Sequence, residues 1–192
     1  MRIGIFPGSF DPIHNGHLAI AQTAADHLEL DQVIFVPSGV SPNKRRTQKT
    51  PGKIRFDWIQ LALQNLGDNR LIVSDIESSR NTVTYTLESV QELGSAKGIS
   101  KENLFMLVGA DTAARMQRWP SYQQILKIAT IADFGRDGVP GSIPAYEYPH
   151  ASSDIKRRIW LNQSIEDMVP RNIVKQITER FKNESICKPG FR

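Results

Sequence analysis

The sequence predicts an α/β protein in which helices cover both faces of a doubly wound, Rossmann-like parallel sheet. Two observations support this prediction. Five short, nearly continuous apolar runs alternate with segments of helical periodicity, and strands buried on both faces have this composition. The chain has 192 residues, 40% of them hydrophobic, which is enough to bury a full core, and this length favours one domain.

The five predicted strands cover residues 3–6, 33–36, 71–73, 104–108 and 129–132. Apolar residues recur at helical spacing over residues 18–28, 54–62, 83–94 and 122–126, and a terminal helix is predicted over 170–181. In a doubly wound sheet the ligand crevice lies beyond the carboxyl ends of the strands, so we expect the functional residues there. We assign residues 1–182 to one domain and 183–192 to a C-terminal tail.

Composition limits the class of partner. The net charge of +4 suits a polyanionic ligand, but the basic residues are spread out, so nucleic acid is not a predicted partner. The single cysteine, Cys187, excludes an intrachain disulfide and fits a reducing compartment. No apolar run approaches the roughly 18 residues of a membrane span, and Met1 leads into the first strand without a signal peptide. We therefore expect a cytoplasmic protein, whose oligomeric state the sequence leaves open.

The segment between the first predicted strand and the first helix reads GSFDPIHNGHL, residues 8–18. Amides at a helix start lack intrahelical partners and the helix dipole adds positive charge, so such a loop can hold an anion. Gly8 and Gly16 let the backbone approach a ligand, and Asp11-Pro12 favours a turn. The loop is therefore a candidate phosphate site.

His14 and His17 are the candidate catalytic residues of this loop. At a spacing of three across the helix start, both imidazoles can face one anionic group and each can donate a hydrogen bond to it. Two structural histidines, or half of a metal site, are the alternatives. The surrounding glycine and proline residues argue against the former, and a third ligand at a recognisable spacing is missing for the latter.

Neither the P-loop nor the dinucleotide-binding fingerprint occurs in the sequence. The segment of residues 8–18 instead resembles the signature of the nucleotidyltransferases with a [HT]-x-G-H motif. Those enzymes transfer a nucleoside monophosphate from ATP or CTP and release pyrophosphate. The resemblance implies that His14 and His17 are catalytic and that Gly8, Ser9 and Phe10 bind substrate.

A basic loop follows the second strand, with Lys44, Arg45 and Arg46, and further on Lys49, Lys53 and Arg55. It is either a solvated loop or one that closes over a triphosphate. Residues 41–44, Ser-Pro-Asn-Lys, resemble the P-P-H-K segment of nicotinate mononucleotide adenylyltransferases. The resemblance implies that Lys44 is a phosphate ligand, with Asn43 at the position of the family's histidine.

Residues 77–86 resemble the E-x-x-R-x-x-x-S-Y-T element of the same family, matched by Glu77, Arg80, Thr84, Tyr85 and Thr86. In that family the element borders the pyridine ring, which implies a polar contact from Thr86. On local grounds alone, Asn81, Thr82 and Thr84 are candidate N-cap residues of the next helix.

Asp111 follows the fourth strand directly and is placed to accept hydrogen bonds from ribose hydroxyls or to cap the next helix. The G-A-D and W-x-x-Y pair resembles the same adenylyltransferases, which implies that Trp119 lies against the nicotinoyl ring. An ordinary core indole is the alternative. Pro120 lacks the N–H that could meet a carboxylate.

Residues 151–158 predict a helix start and a second anion site, because hydroxyls precede an amphipathic run. The segment resembles the family's S-S-T-x-I-R, which implies that Ser152 and Lys156 bind substrate. Ala151 replaces the first serine, and Lys156 replaces an arginine and so lacks its bidentate fork. Upstream, Arg136 lies at the position of the family's R-P-G element.

Together these resemblances imply adenylyl transfer from ATP to nicotinate mononucleotide, giving deamido-NAD and pyrophosphate in NAD biosynthesis, with Mg²⁺ bound to the ATP phosphates. Three alternatives remain open: nicotinamide mononucleotide as preferred acceptor, phosphopantetheine adenylyl transfer, and a nucleotide-binding relative that has lost catalysis. His14, in place of a threonine typical of the phosphopantetheine enzymes, argues against the second alternative. The intact histidine pair argues against the third.

Overall fold

The computed structural model describes residues 1–39, 50–80, 82–135, 141–143 and 148–186. Five parallel strands form one sheet: β1 (Ile3–Gly8), β2 (Gln32–Pro37), β3 (Leu71–Val73), β4 (Leu104–Gly109) and β5 (Thr130–Phe134). Their order across the sheet is β3-β2-β1-β4-β5. All five predicted strands and the doubly wound α/β class are confirmed.

The central strand is β1, which pairs with β2 on one side and β4 on the other. Ile3 and Ile5 pack into one apolar cluster and Phe6 into the other, as the alternation of side chains across a sheet requires. This burial on both faces is the reason that the strands read as continuous apolar runs.

Seven α-helices lie in the described part of the chain: α1 (Asn15–His27), α2 (Gly52–Leu66), α3 (Thr86–Ala96), α4 (Ala110–Met116), α5 (Tyr122–Ile128), α6 (Ser152–Trp160) and α7 (Val174–Ile186). Residues of α1, α2, α6 and α7 pack in the cluster that contains Phe6. Residues of α3, α4 and α5 pack in the cluster that contains Ile3. No helix among the described residues is long and apolar enough to cross a membrane.

Several helix boundaries differ from the predicted ones. The helix α1 begins at Asn15, with His14 as its N-cap, instead of near Leu18. The N-cap of α3 is Tyr85, so none of the hydroxyl or amide residues expected to cap it does so. Gly109 is the N-cap of α4, and Asp111 falls inside its first turn instead of capping it. The backbone at these three N-cap residues is extended, as is usual at this position.

The C-terminal helix also begins later and ends later than predicted. Pro170 precedes a short 3₁₀ helix, Arg171–Ile173, and the α-helix begins only at Val174. It continues to Ile186, five residues past the predicted end at Phe181. Residues 187–192, with Cys187, lie outside the described residues.

Candidate active site

A cleft of about 800 Å³ lies at the carboxyl ends of the central strands, where the crevice was predicted. Its walls include the end of β1 at Gly8, the end of β4 at Gly109 and the first turns of α1 and α3. Seven predicted site residues line it, namely Gly8, Ser9, Phe10, His14, His17, Thr86 and Trp119. The sequence motifs of the first loop and of the third and fourth strand ends therefore meet in one space.

Five predicted site residues remain. Lys44 and Arg136, with Asn43, lie outside the described residues, and only the backbone of Asp111 is described, in the first turn of α4. Ser152 and Lys156 are described, and their polar atoms contact the chain beside the cleft.

The two imidazoles of the first motif stack on each other. The ring centroids of His14 and His17 are 3.6 Å apart, with 29° between the ring planes. A core aromatic ring also contacts the pair: the ring of Phe10 lies edge-on to that of His17, with 5.0 Å between the centroids. His14 is 7% exposed, so its ring is packed into the wall of the cleft and is not a solvent-exposed side chain.

A backbone hydrogen bond fixes the tautomer of His17. The N–H of His14 donates to Nδ1 of His17 at 3.3 Å. A nitrogen that accepts a hydrogen bond carries no proton, so in the neutral ring the proton is on Nε2.

Two of the first amides of α1 are already paired. Asn15 N–H donates to the carbonyl of Met168 at 3.0 Å, and His17 N–H donates to the carbonyl of His14 at 3.0 Å. The sequence predicts that unpaired amides of the helix start hold an anion. In the structure these two amides are already paired with carbonyls of the protein.

Gly8 and Gly16 make room for rings of the protein itself. A Cβ at Gly8 would lie 2.7 Å from the Phe10 ring, and a Cβ at Gly16 would lie 2.4 Å from the Tyr148 ring. Tyr148 was not singled out from the sequence, because it belongs to no motif and only the fold brings it to α1. Its ring is nearly parallel to that of His14, at 10°, with 5.2 Å between the centroids.

Lys156 makes an ion pair with the turn of the first motif. Its Nζ lies 2.7 Å from Oδ2 of Asp11, and the two side chains are 20% and 7% exposed. The ammonium also lies 4.7 Å from the ring centroid of Phe181. The pair joins α6 to the loop that precedes the histidines.

Ser152 makes a second link between α6 and the same loop. Its Oγ donates to the carbonyl of Pro12 at 2.9 Å. At the start of α6, Oδ2 of Asp154 accepts from the N–H of Ala151 at 2.8 Å. This is one half of a capping box, and the methyl group of Ala151 cannot make the other half, the hydrogen bond from an N-cap side chain to the first turn.

Arg55 is a structural residue of the site that sequence reasoning placed with the basic loop. It is 1% exposed, and its Nη1 donates to the carbonyl of Ser9 at 2.6 Å. Its Nε donates to the carbonyl of Thr50 at 3.0 Å, and its Nη2 donates to the carbonyl of Ser38. Desolvation by burial lowers the pKa of Arg55, while the charges of Asp11 and Glu77 oppose this shift. One guanidinium therefore ties the segments after β1 and β2 to the start of α2.

The buried position of Arg55 does have a signal in the sequence. Arg55, Trp58, Ile59 and Ala62 recur at helical spacing and form the buried stripe of α2. A charge on the apolar stripe of a helix indicates a satisfied internal partner.

Glu77 is a buried carboxyl in the wall of the cleft. It is 4% exposed, and Ser89 Oγ donates to its Oε1 at 2.5 Å. Desolvation raises the pKa of Glu77, although hydrogen bonds from Ser89 and from the backbone of Gly39 oppose this shift. A Cβ at Gly39 would lie 2.2 Å from the carbonyl oxygen of Glu77, so only glycine fits there. The contact places the end of β2 against the segment that precedes α3.

Comparisons with known proteins agree with this geometry. The family model described as cytidylyltransferase-like matches residues 5–159. A probable nicotinate-nucleotide adenylyltransferase of Shouchella clausii is 34% identical over 186 residues, which cover 93% of this chain and 95% of that protein. A protein of the same description from Clostridium beijerinckii is 31% identical, with 90% and 94% covered.

A solved structure agrees with the fold. The crystal structure of a candidate nicotinate-nucleotide adenylyltransferase from Vibrio parahaemolyticus superposes with a TM-score of 0.68 at 19% identity, covering 95% of this chain and all of that one. At this identity the likeness supports the fold alone. The family match and the identity over nearly the whole chain show that the protein belongs to the cytidylyltransferase-like family, in its nicotinate-nucleotide adenylyltransferase branch.

Proposed function

We propose that this chain transfers the adenylyl group of ATP to nicotinate mononucleotide, giving deamido-NAD and pyrophosphate. One observation carries the proposal: a stacked pair of imidazoles, His14 and His17, lines the same cleft as Thr86 and Trp119. The relatives described above, about a third identical over nearly their whole length, support this choice of reaction.

The reaction is an in-line displacement at phosphorus. An oxygen of the 5′-phosphate of the acceptor forms a bond to the α-phosphorus of ATP, and the bond from that phosphorus to the bridging oxygen breaks. Pyrophosphate leaves with the electron pair of that bond. Such chemistry depends on positioning and on neutralising the charge that spreads over the phosphorus oxygens. We assign this neutralisation at the α-phosphate to His14 and His17.

The β- and γ-phosphates of ATP need cationic ligands, and Lys44 and Lys156 are the proposed ones. Arg136, at the position of the family's R-P-G element, is a further proposed substrate-binding residue. Lys156 must release Asp11, which it now contacts at 2.7 Å, to serve in this role. Gly8, Ser9 and Phe10 line the cleft beside the histidines and are proposed to border the nucleotide.

The proposed reaction also uses a metal ion, which enters the cleft bound to ATP. Among the residues that the structure describes, no three His, Cys, Asp or Glu side chains converge to form a metal site. We propose that Mg²⁺ arrives on the triphosphate, whose oxygens are its preferred ligands. When bound, the ion neutralises phosphate charge and favours departure of pyrophosphate.

The pyridine side of the cleft is proposed to involve Thr86 and Trp119. Thr86 is the first residue of α3 and lines the cleft, while Trp119 lines it and also packs against the second apolar cluster. Trp119 therefore packs against the core and also forms part of the cleft wall. Its indole can offer a flat surface on which the pyridine ring of the acceptor stacks. Asp111, at the start of α4, is the proposed partner of ribose hydroxyls.

Pyrophosphate release from ATP tests the proposal when each acceptor is offered in turn. We expect release with nicotinate mononucleotide, and much less with nicotinamide mononucleotide or phosphopantetheine. Preference for either of those acceptors would overturn the assignment of substrate. ATP binding without release for any acceptor would favour a non-catalytic nucleotide-binding protein. A cytoplasmic location, where ATP is supplied, belongs to the same proposal.

A further inference from the structure

We propose that Tyr148 is a positioning residue of this active site, which holds the imidazole of His14 in its stack with His17. The inference rests on the proposed function, because the orientation of His14 matters only if that ring faces a phosphate. Three observations about Tyr148 support it.

The first observation is the stack itself. The Tyr148 ring is 10° from parallel with His14 at 5.2 Å, and His14 in turn stacks on His17 at 3.6 Å. His14 therefore contacts two rings. Rotation of its imidazole about the side-chain bonds would break both contacts, so Tyr148 adds a second restraint to the one that His17 supplies.

The second observation is the anchor of Tyr148. Its hydroxyl donates to the carbonyl of Met168 at 2.6 Å. The same carbonyl accepts the N–H of Asn15, the first residue of α1, at 3.0 Å. The ring that covers His14 and the helix that carries the histidine pair are therefore both held by one atom, so their relative position is fixed.

The third observation is the fit at Gly16. A Cβ there would lie 2.4 Å from Cδ1 of Tyr148, closer than any real contact. The glycine of the histidine motif thus allows Tyr148 to lie directly on the first turn of α1. Because a misplaced catalytic group costs up to about 100-fold in rate, a His14 ring held by contacts with both Tyr148 and His17 contributes to catalysis through pre-organisation.

Substitutions at Tyr148 separate the stack from the anchor. Tyr148→Leu removes both, and Tyr148→Phe keeps the ring but removes the hydroxyl. We expect kcat for pyrophosphate release to fall about 10- to 100-fold in Tyr148→Leu and less in Tyr148→Phe, with the KM for ATP nearly unchanged. Trp160→Leu is the matched control, because Trp160 is 42% exposed at the end of α6 and does not line the cleft.

A double-mutant cycle distinguishes positioning from general structural support. In a His14→Ala background, Tyr148→Leu is expected to cost little further activity, because its effect is transmitted through His14. An equal fold-loss in both backgrounds would overturn the proposal, and so would wild-type kcat in Tyr148→Leu alone.

Ring resonances of the histidines give a readout that does not depend on activity. In Tyr148→Phe, and in Tyr148→Leu if it folds, NMR signals of the His14 ring should shift while those of exposed His27 stay in place. Unchanged His14 signals in the Phe variant, together with unchanged kcat, would overturn the inference. A wild-type chain that releases no pyrophosphate with any acceptor would instead contradict the proposed function, and the resonances would still report whether Tyr148 orients His14.

Discussion

The N–H of His14 donates to Nδ1 of His17 at 3.3 Å, while the two rings stack at 3.6 Å. The residue that precedes α1 therefore orients the residue in its first turn. This hydrogen bond places the proton of the neutral His17 ring on Nε2. Substitution of His17 therefore tests the role of one defined donor group.

Replacement of His17 by alanine should remove a donor that acts mainly in the transition state. We expect kcat to fall about 10²–10³-fold with a smaller effect on the KM for ATP, measured as pyrophosphate release with nicotinate mononucleotide. His27→Ala, at an exposed position in the last turn of the same helix, is the control. Wild-type turnover in His17→Ala would show that the assignment is wrong.

Removal of Arg55 should destabilise the fold. In Arg55→Met the carbonyls of Ser9, Ser38 and Thr50 lose a common donor inside the protein. We expect the free energy of unfolding in urea to fall by about 3 kcal/mol. Arg55→Lys should not rescue it, because one ammonium cannot reach three carbonyls in the fork geometry of a guanidinium.

The control for Arg55 is Arg157→Met. The side chain of Arg157 is 72% exposed, so this change should stay within about 0.5 kcal/mol of the wild type. Similar losses for the two methionine variants, or full stability in Arg55→Lys, would contradict the role given to Arg55.

The pair of Asp11 and Lys156 allows its structural role to be separated from the proposed phosphate role. Lys156→Met leaves a carboxylate that is 7% exposed without its cation, so we expect a loss of about 3 kcal/mol in unfolding free energy. Adding Asp11→Asn should recover part of that loss. If Lys156 also serves the triphosphate, the KM for ATP rises in Lys156→Met and stays raised in the double variant. A KM restored along with stability would assign Lys156 to the loop alone.

Asp68 predicts a pH dependence of stability away from the cleft. Its carboxylate accepts hydrogen bonds from Arg70 at 3.0 and 2.8 Å, and these bonds lower its pKa to about 2. A carboxyl with a lowered pKa stabilises the fold above the ordinary value of 3.8, and this contribution is lost as the pH falls toward 2.

We therefore expect Asp68→Asn to cost about 1 kcal/mol in urea unfolding at pH 7, a value reduced for the partial exposure of Arg70, and almost nothing near pH 2. Glu166→Gln, at an exposed carboxylate, should show no comparable trend. An Asp68→Asn deficit that persists at pH 2 would mean that packing, and not charge, stabilises this corner.

The strands and the location of the cleft were predictable, because burial on both faces of a parallel sheet leaves a strong apolar signal. Only some of the residues that form the cleft and its supports were predictable. His14 and His17 occur in a local motif, whereas Tyr148 reaches α1 only through the folded chain and has no local pattern. Arg55 was assigned to a basic loop by its neighbours in sequence, although the stripe of α2 placed it inside. Partners such as Asp11 for Lys156 depend on long-range packing, which spacing does not encode.

The hydrogen bond between Asn15 and the carbonyl of Met168 affects when the start of α1 can reach its final position during synthesis. The contacts between Asn15 and this segment join residues 152 and 153 positions apart: Asn15 Nδ2 and the carbonyl of Asp167 at 3.1 Å, and Asn15 N–H and the carbonyl of Met168 at 3.0 Å. The histidine loop is synthesised before the segment around Met168, which lies beyond residue 159, where the family match ends. A nascent chain that has not yet reached residue 168 therefore lacks the contacts that hold the start of α1. The position of the histidine pair thus depends on a segment that is made much later.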